Sequence, residues 1–157
     1  MMTTQSLQSF ETLCDMLERN DIDYSRNDDR ITVHCTISGK DISVPVAIAV
    51  NPYKMLVTLY ALMPITVESD KAADMGIAVC LANKALTDGC FVYDIEDGSL
   101  YFKMTASCRD GEISEESFEY MLAAAIDMVD EYYPKLNYIA QSTQSFICID
   151  TVQELLC

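Results

Sequence analysis

The sequence predicts an α+β fold of two layers, an antiparallel five-stranded sheet with helices on one face, in the order helix, three strands, helix, two strands, helix. Apolar and polar residues alternate through most strand segments, which indicates that one face of the sheet is covered. Consecutive strands are joined by short turns or by a helix, and the first and last long helical segments each have an apolar stripe. Together these observations favour a single helix layer on an antiparallel sheet.

The first half of the chain supplies one helix and three strands. Apolar residues in the segment 6–19 recur at steps of three and four and define one helical face. Segments 31–37 and 42–50 then alternate, with a short turn between them. Pro45 has no amide hydrogen, so we expect the second of these strands to lie at an edge or to bulge there. Segment 53–63 is apolar in both phases, which favours a central position or a contact on its second face.

A second helix is expected after these strands. Ser69 or Asp70 can cap its start, and it runs to Thr87, with Gly89 closing it. The body of this helix is rich in small residues. Small residues permit a close approach to a sheet, or to the same helix of a second copy of the chain.

A hairpin and a long third helix follow. The Asp-Gly pair at 97–98 predicts a hairpin between strands at 91–95 and 100–104. Ser114 is placed to cap the third helix, because acidic residues follow it in the first turn, where the helix dipole favours negative charge. Pro134 is expected to end or kink this helix.

A chain of 157 residues is long enough for one well-packed core and too short for two. We therefore interpret residues 1–140 as a single domain and residues 141–157 as a C-terminal tail. Thr151 and Glu154 have capping-box spacing, which suggests a short terminal helix in that tail.

The chain is strongly acidic, with 10 basic and 25 acidic residues and a formal net charge of −15. Nucleic acids and anionic membranes are bound through Lys and Arg, so neither is expected as a partner. A basic partner remains open, but a well-solvated acidic surface explains the charge as simply.

The seven cysteines are odd in number, and their spacing matches no zinc-ligand pattern. Several lie inside apolar runs, where a thiol behaves as a small apolar side chain. We therefore predict free thiols and a cytoplasmic location. The chain opens without a basic stretch followed by an apolar one, so no signal peptide is predicted.

Motifs for catalysis or cofactor binding are missing from the sequence. The five glycines are too far apart for a phosphate-binding loop. One acidic stretch begins like an EF-hand loop, but Arg26 and Thr32 occupy the positions that need glycine and glutamate. His34 precedes Cys35 in a predicted strand, so their side chains point to opposite faces. We expect no enzymatic activity, no cofactor and no metal.

The sheet face opposite the helices is expected to be mildly apolar. Apolar surface of this kind often receives a partner, although scattered exposed apolar residues are also ordinary. We therefore predict a partner or dimer surface on the sheet and on the small-residue helix, at Leu56, Tyr60, Leu62, Met75, Val79 and Tyr101.

An ordered set of residues in segment 83–134 resembles the YbjN family of small bacterial proteins, sometimes labelled sensory transduction regulators. The set is Asn83, Leu86, Gly89, Phe91, Asp94, Gly98, Leu100, Phe102 and Tyr132-Tyr133-Pro134. That family is similar in fold to the type III secretion chaperones, which are small acidic dimers. The resemblance implies a homodimer, with the small-residue helix as one candidate seam, and binding of an extended polypeptide segment. It implies no catalytic residue.

Two functions of different classes follow from the sequence. The one we favour is a non-enzymatic, cytoplasmic, protein-binding module, chaperone-like or regulatory, that acts as a homodimer on a protein or peptide partner. The alternative is a small-molecule sensor, or an unrecognised enzyme, with a pocket between sheet and helices. A thiol-based redox sensor is a third hypothesis, which draws only on the cysteine count.

Overall fold

The computed structural model describes residues 4–145 and 149–156. The chain forms four α-helices and six β-strands in these described parts. In chain order they are α1 (Thr4–Arg19), β1 (Tyr24–Asn27), β2 (Thr32–Ser38), β3 (Ser43–Asn51), β4 (Leu56–Thr66), α2 (Ala72–Ala85, after a 3-10 turn at Ser69–Lys71), β5 (Cys90–Tyr93), β6 (Ser99–Ser107), α3 (Glu115–Gln141) and α4 (Ile149–Leu156).

All strands belong to one antiparallel sheet with the order β1-β2-β3-β4-β6-β5. Helix α2 carries the chain from β4 to the far edge of the sheet, and the β5–β6 hairpin returns it to the centre. Helix α3 packs across β4 and β6, while α1 packs against β3 and α2 against β5. The predicted α+β fold, with an antiparallel sheet and helices on one face, is confirmed.

The sheet has six strands rather than the five expected, because β1 was missed. The side chains of Tyr24–Asn27 are one half-buried and three exposed, so this strand has no apolar alternation. It pairs along β2, from Tyr24 opposite Cys35 to Asn27 opposite Thr32. A strand that buries almost nothing gives no periodic signal.

The expectation that Pro45 marks an edge strand is wrong, because β3 lies inside the sheet between β2 and β4. Pro45 is opposite Thr36 on β2, whereas the ladder with β4 begins one residue later, at Val46. The proline therefore lies where one side of β3 has no paired residue, and its missing amide is tolerated.

The core fills the space between sheet and helices and is centred on aromatic side chains. Phe91 lies with its ring centroid 5.0 Å from that of Phe102 and 4.9 Å from that of Tyr132 on α3. Phe10 of α1 and Phe118 of α3 are each 1% exposed, so both helices contribute large buried rings. Burying a large apolar side chain completely contributes about 1.5–3 kcal/mol.

Helix α3 begins as expected, with the Ser114 hydroxyl accepting the amide of Ser117 at 3.3 Å. It does not end at Pro134, but continues to Gln141. Pro134 is on the exposed side of the helix, while Leu136 and Ile139 beyond it are completely buried. Their burial outweighs the hydrogen bond that the proline removes.

The β5–β6 hairpin is present, with a longer loop than an Asp-Gly pair alone suggests. The amide of Asp94 donates to the carbonyl of Ser99 at 2.9 Å, so the loop lies between these residues. Gly98 has a φ of +76°, and a Cβ there would lie 2.4 Å from the carbonyl oxygen of Val67. Ile95, expected in the strand, belongs to the loop and is 71% exposed.

Polar contacts hold the segment after α3 against the start of α2 and against α3. The Lys71 ammonium lies 3.3 Å from the Asp74 carboxylate, in a pair that is almost completely buried, and it also donates to the carbonyl of Gln144. Lys135 donates to the carbonyl of Leu156 at 2.8 Å, and α4 packs against α2. Thr151 and Glu154 both lie inside α4.

The Asn83 side chain at the end of α2 secures the outer edge of β5. Its Nδ2 donates to the carbonyl of Phe91 at 2.9 Å, and its Oδ1 accepts the amide of Phe91 at 2.7 Å. One side chain thus imitates a neighbouring strand at an edge that is otherwise unpaired.

Asn83→Ala should lower the free energy of unfolding by about 1–3 kcal/mol, because it leaves the part-buried amide and carbonyl of Phe91 unpaired. Urea denaturation followed by circular dichroism measures the loss. The matched control is Asn137→Ala on α3, for which we expect a change within about 0.5 kcal/mol. Equal losses for the two variants would contradict this role of Asn83.

Candidate functional site

Within residues 4–145 and 149–156, no layer lies over the side of the sheet that points away from the helices, and we call this side the open face. Its side chains alternate with the core residues of each strand and are all half-buried or exposed. Across its middle, five side chains stand in register from β1 to β6, namely Ser25, His34, Ala47, Tyr60 and Lys103. The small Ala47 at the centre of this row leaves a depression between its larger neighbours.

A groove of about 900 Å³ runs across the open face from β1 to β6. His34, Thr36, Pro45 and Ala47 contribute to its lining from β2 and β3. Neighbouring strands are about 4.8 Å apart, so a groove that crosses five of them is roughly 19 Å long. It runs across the strands rather than along them.

Aromatic side chains form the wall of the groove on the side of β4 and β6. The ring centroids of Tyr60 and Tyr101 are 5.6 Å apart, with an interplanar angle of 69°, so the two rings meet edge to face. The Lys103 ammonium lies 5.9 Å from the centroid of the Tyr60 ring. Burial raises the pKa of Tyr101 above the ordinary value for tyrosine. Leu62, opposite Tyr101 in the ladder, is 40% exposed.

Strand β1 forms the other end of the groove with Asp23, Tyr24 and Ser25. These residues were not among the predicted site residues, because β1 itself carries no periodic signal. The aromatic residue at position 24 beside a polar segment is the one feature of the sequence that could have drawn attention to it.

The structure divides the predicted surface residues into two groups. Tyr60, Leu62 and Tyr101 line the groove, and Leu56 is half-buried on the open face beyond it, opposite Ser107. Met75 and Val79 of α2 are elsewhere, in the core, with exposed fractions of 0% and 8%. Helix α2 is apolar nearly all round, so its sequence does not reveal which side faces the sheet.

His34 and Cys35 lie on opposite faces of β2. His34 is exposed on the open face, whereas Cys35 is 8% exposed in the core, where burial raises the pKa of its thiol to about 11. Among the described residues, Cys14, Cys80, Cys90 and Cys108 are free thiols as well.

Two smaller cavities lie beside the helices. One of about 260 Å³ lies between α1 and α3, and one of about 210 Å³ lies among α2, α3 and α4. Within residues 4–145 and 149–156, no three His, Cys, Asp or Glu side chains are grouped so that they could hold a metal ion. None of the helices in these same ranges is both long and apolar enough to cross a membrane.

A single helix layer on an antiparallel sheet, with the second face open, defines an α+β fold shared with secretion chaperones. The chain is similar to a chain of the HopA1–SchA chaperone–effector complex, with a TM-score of 0.61 at 12% identity, over 85% of this chain and 99% of the other. It is similar to a chain of the ExsC–ExsE complex, with a TM-score of 0.57 at 16% identity, over 86% and 97% of the two chains. At such identities the likeness shows the fold alone.

The family follows from the sequence itself. The family model YbjN, described as "Putative bacterial sensory transduction regulator", matches residues 9–137, so the chain belongs to the YbjN family. The crystal structure of YbjN from E. coli has a TM-score of 0.63 to this chain at 12% identity, over 82% of this chain and 90% of the other. Among curated proteins, none matches the chain. The resemblance noted from residues 83–134 is confirmed.

The loss of stability on substitution should distinguish the predicted site residues that lie in the core from those that lie on the open face. Met75→Ala should cost about 2–5 kcal/mol of unfolding free energy, because it opens a cavity in the core. Leu62→Ser should change the stability by about 0.5 kcal/mol or less, because the side chain is on the open face. Urea denaturation of both variants measures the difference. A large loss for Leu62→Ser would show that the open face is covered in solution, and would contradict the assignment.

Proposed function

We propose that this protein is a non-enzymatic, protein-binding module, chaperone-like or regulatory, whose open face binds an extended segment of a partner protein. One observation carries the proposal. The described part of the chain places no layer on the open face, and this face carries a groove walled by Tyr60, Leu62 and Tyr101. Exposed apolar area that is grouped in a groove is typical of a surface that receives a partner.

The dimensions of the groove favour an extended polypeptide over a compact ligand. A length of roughly 19 Å accommodates about six residues of extended chain, at about 3.3 Å per residue. Because the groove crosses the strands, a bound segment would make side-chain contacts with the face rather than join the ladder of the sheet. Tyrosine suits this role, since it offers a large contact area at a low cost in side-chain entropy.

The comparisons support a protein as partner. One similar structure is a complex of a chaperone with its effector, and another is the ExsC–ExsE complex. The YbjN family is itself described in terms of regulation. Binding without catalysis accounts for both descriptions, and we extend it to this chain.

The net charge of the chain favours a basic segment of the partner, and the free thiols favour a reducing compartment. The net charge of −15 attracts cationic polypeptides and repels nucleic acids, and Asp23 provides an exposed carboxylate at the β1 end of the groove. Free thiols are typical of the cytosol, so we propose that the protein acts there.

Peptide display tests the groove directly. A random seven-residue library selected on the wild-type protein should enrich peptides with apolar or aromatic residues and a Lys or Arg. The double variant Tyr60→Ala, Leu62→Ser should bind the enriched peptides at least tenfold more weakly, because it removes anchors each worth about 1.4 kcal/mol or more. Fluorescence anisotropy with a labelled peptide measures the affinity.

The matched control is Tyr53→Ala, which removes a tyrosine that is 83% exposed on the β3–β4 turn, outside the groove. It should bind the same peptides as tightly as the wild type does. Thermal unfolding must show that all variants remain folded. A library that yields no enrichment, or peptides that bind the double variant equally well, would overturn the proposal.

We also propose that the protein acts as a homodimer, with the exposed side of α2 as the seam. Ala73, Gly76 and Cys80 are exposed there at steps of three and four, so they share one helix face. A Cβ at Gly76 would have no atom within 4 Å, so within one chain this face is open. Two such helices can approach closely at these three residues because their side chains are short.

Gly76→Leu tests the seam. The substitution should stabilise α2 within one chain by about 0.5–1 kcal/mol, since it replaces a helix-interior glycine, but should block the close approach of two helices. Light scattering is expected to give twice the mass of one chain for the wild type and the mass of one chain for the variant. Ala123→Leu, on the exposed side of α3, should remain dimeric. A wild-type protein that scatters as a monomer would rule the homodimer out.

A further inference from the structure

Strand β1 is attached to the rest of the molecule differently from the other strands. It lies at the edge of the sheet and has only 4 residues, none of them buried. By contrast, β2 to β4 each place two or more buried side chains in the core. The attachment of β1 therefore rests on its ladder with β2, on the half-buried Tyr24 ring against the core and on polar side-chain contacts.

Those polar contacts are made by two side chains that reach helix α1. Arg26 donates to both carboxylate oxygens of Glu11, at 2.8 and 3.1 Å, and its guanidinium lies 5.0 Å from the centroid of the Phe10 ring. The Tyr24 hydroxyl donates to the Glu18 carboxylate at 2.8 Å. These hydrogen bonds are solvent-exposed, and exposed ionic contacts contribute little to stability.

The turn between β1 and β2 has a strained backbone. Ile31, between β1 and β2, has a φ of +50° and is 3% exposed. A β-branched side chain in the left-handed region is a genuine outlier, and such strain persists only where surrounding contacts enforce it. Ile31 is held by its burial and by its carbonyl, which accepts the amide of Val50 at 2.9 Å.

Two thiols are covered while β1 is in place. Cys35 lies opposite Tyr24 in the ladder and is 8% exposed, and Cys14 of α1 is 2% exposed and 3.7 Å from a guanidinium nitrogen of Arg26. Burial raises the pKa of both thiols, so they are unreactive in the closed state.

We propose that β1 is a displaceable edge strand, and that its place on β2 is taken by an extended segment of a partner protein that carries an aromatic residue and, two positions later, a basic residue. Such a segment reproduces the contacts of Tyr24 and Arg26. When β1 leaves, Glu11 and Glu18 remain on α1 without these partners, in a chain whose net charge is −15. A cationic segment is therefore favoured over a neutral or acidic one.

The exchange site overlaps one end of the groove, where β1 lies, but it does not include the aromatic wall formed by Tyr60 and Tyr101. The inference rests on the proposed function only in taking a protein as the partner. The opening of β1 is a property of this chain alone and is measured without any partner.

Thiol alkylation followed by mass spectrometry measures that opening. In the native protein, Cys35 should react much faster than Cys108, which is 1% exposed and away from β1. Arg26→Ala should raise the rate at Cys35 at least several-fold and leave the rate at Cys108 unchanged, because it releases β1 without unfolding the core. Arg30→Ala, in the turn after β1, is the matched control and should leave both rates unchanged.

Equal rates at Cys35 and Cys108 in the wild type, or rates that rise together in Arg26→Ala, would mean that β1 opens only when the whole domain unfolds. Either result overturns the inference. Neither result bears on the proposed peptide binding in the groove, because that binding depends on Tyr60 and is measured separately.

A synthetic peptide with the sequence of residues 22–27 tests the exchange. Added to the Arg26→Ala protein, it should slow the alkylation of Cys35 several-fold, because it fills the vacated edge of β2. The same peptide with R26E should give no protection, since it places a carboxylate against Glu11. If neither peptide protects Cys35, or both protect equally, the exchange of β1 for a basic segment is refuted.

Discussion

The contact between α3 and the middle of the sheet is the interaction on which the rest of the structure depends. Strands β4 and β6 lie beneath this helix, and Leu59, Leu100 and Phe102 on these strands are completely buried. At about 1.5–3 kcal/mol for each large apolar side chain, a few such residues account for most of a small domain's margin of stability. Because this burial is concentrated on one face, the other face needs no cover, and its side chains are free to vary without loss of the fold.

The parts of the fold that bury apolar area were predictable from the sequence. The alternation in β2 and β3 and the stripe of α3 each report the side that faces the core, and the structure has those elements within a few residues of the expected bounds. The sequence left open whether α3 ends at Pro134 or continues beyond it, and the helix continues because the burial of Leu136 and Ile139 outweighs the hydrogen bond that the proline removes. Strand β1 could not be predicted, because its ladder and its ion pairs depend on residues distant in sequence, which no local periodicity reports.

The candidate site also has parts that could be predicted from the sequence and parts that could not. Tyr101 could be assigned to the open face from the alternation of its strand. For the strand that is apolar in both phases, the sequence left open whether Tyr60 and Leu62 or their neighbours lie on that face, and the structure places Tyr60 and Leu62 there. Met75 and Val79 could not be placed, since a helix of small and apolar residues has no marked polar side. The groove itself could not be predicted, because its depth arises from the small Ala47 lying in register with the larger Tyr60, and register is a property of the assembled sheet.

The residues that carry the resemblance to the family have structural roles. This helps to locate the surfaces that carry function. Asn83 pairs the edge of β5, Gly98 turns beneath the carbonyl of Val67, and the rings of Phe91, Phe102 and Tyr132 pack against one another. None of these side chains lines the groove or contacts β1. The residues that carry the resemblance therefore describe a scaffold, while the surfaces proposed to bind partners are built from other residues. Members of one family can then hold the same fold and take different partners, because selection on the scaffold leaves the open face and the edge strand free to change.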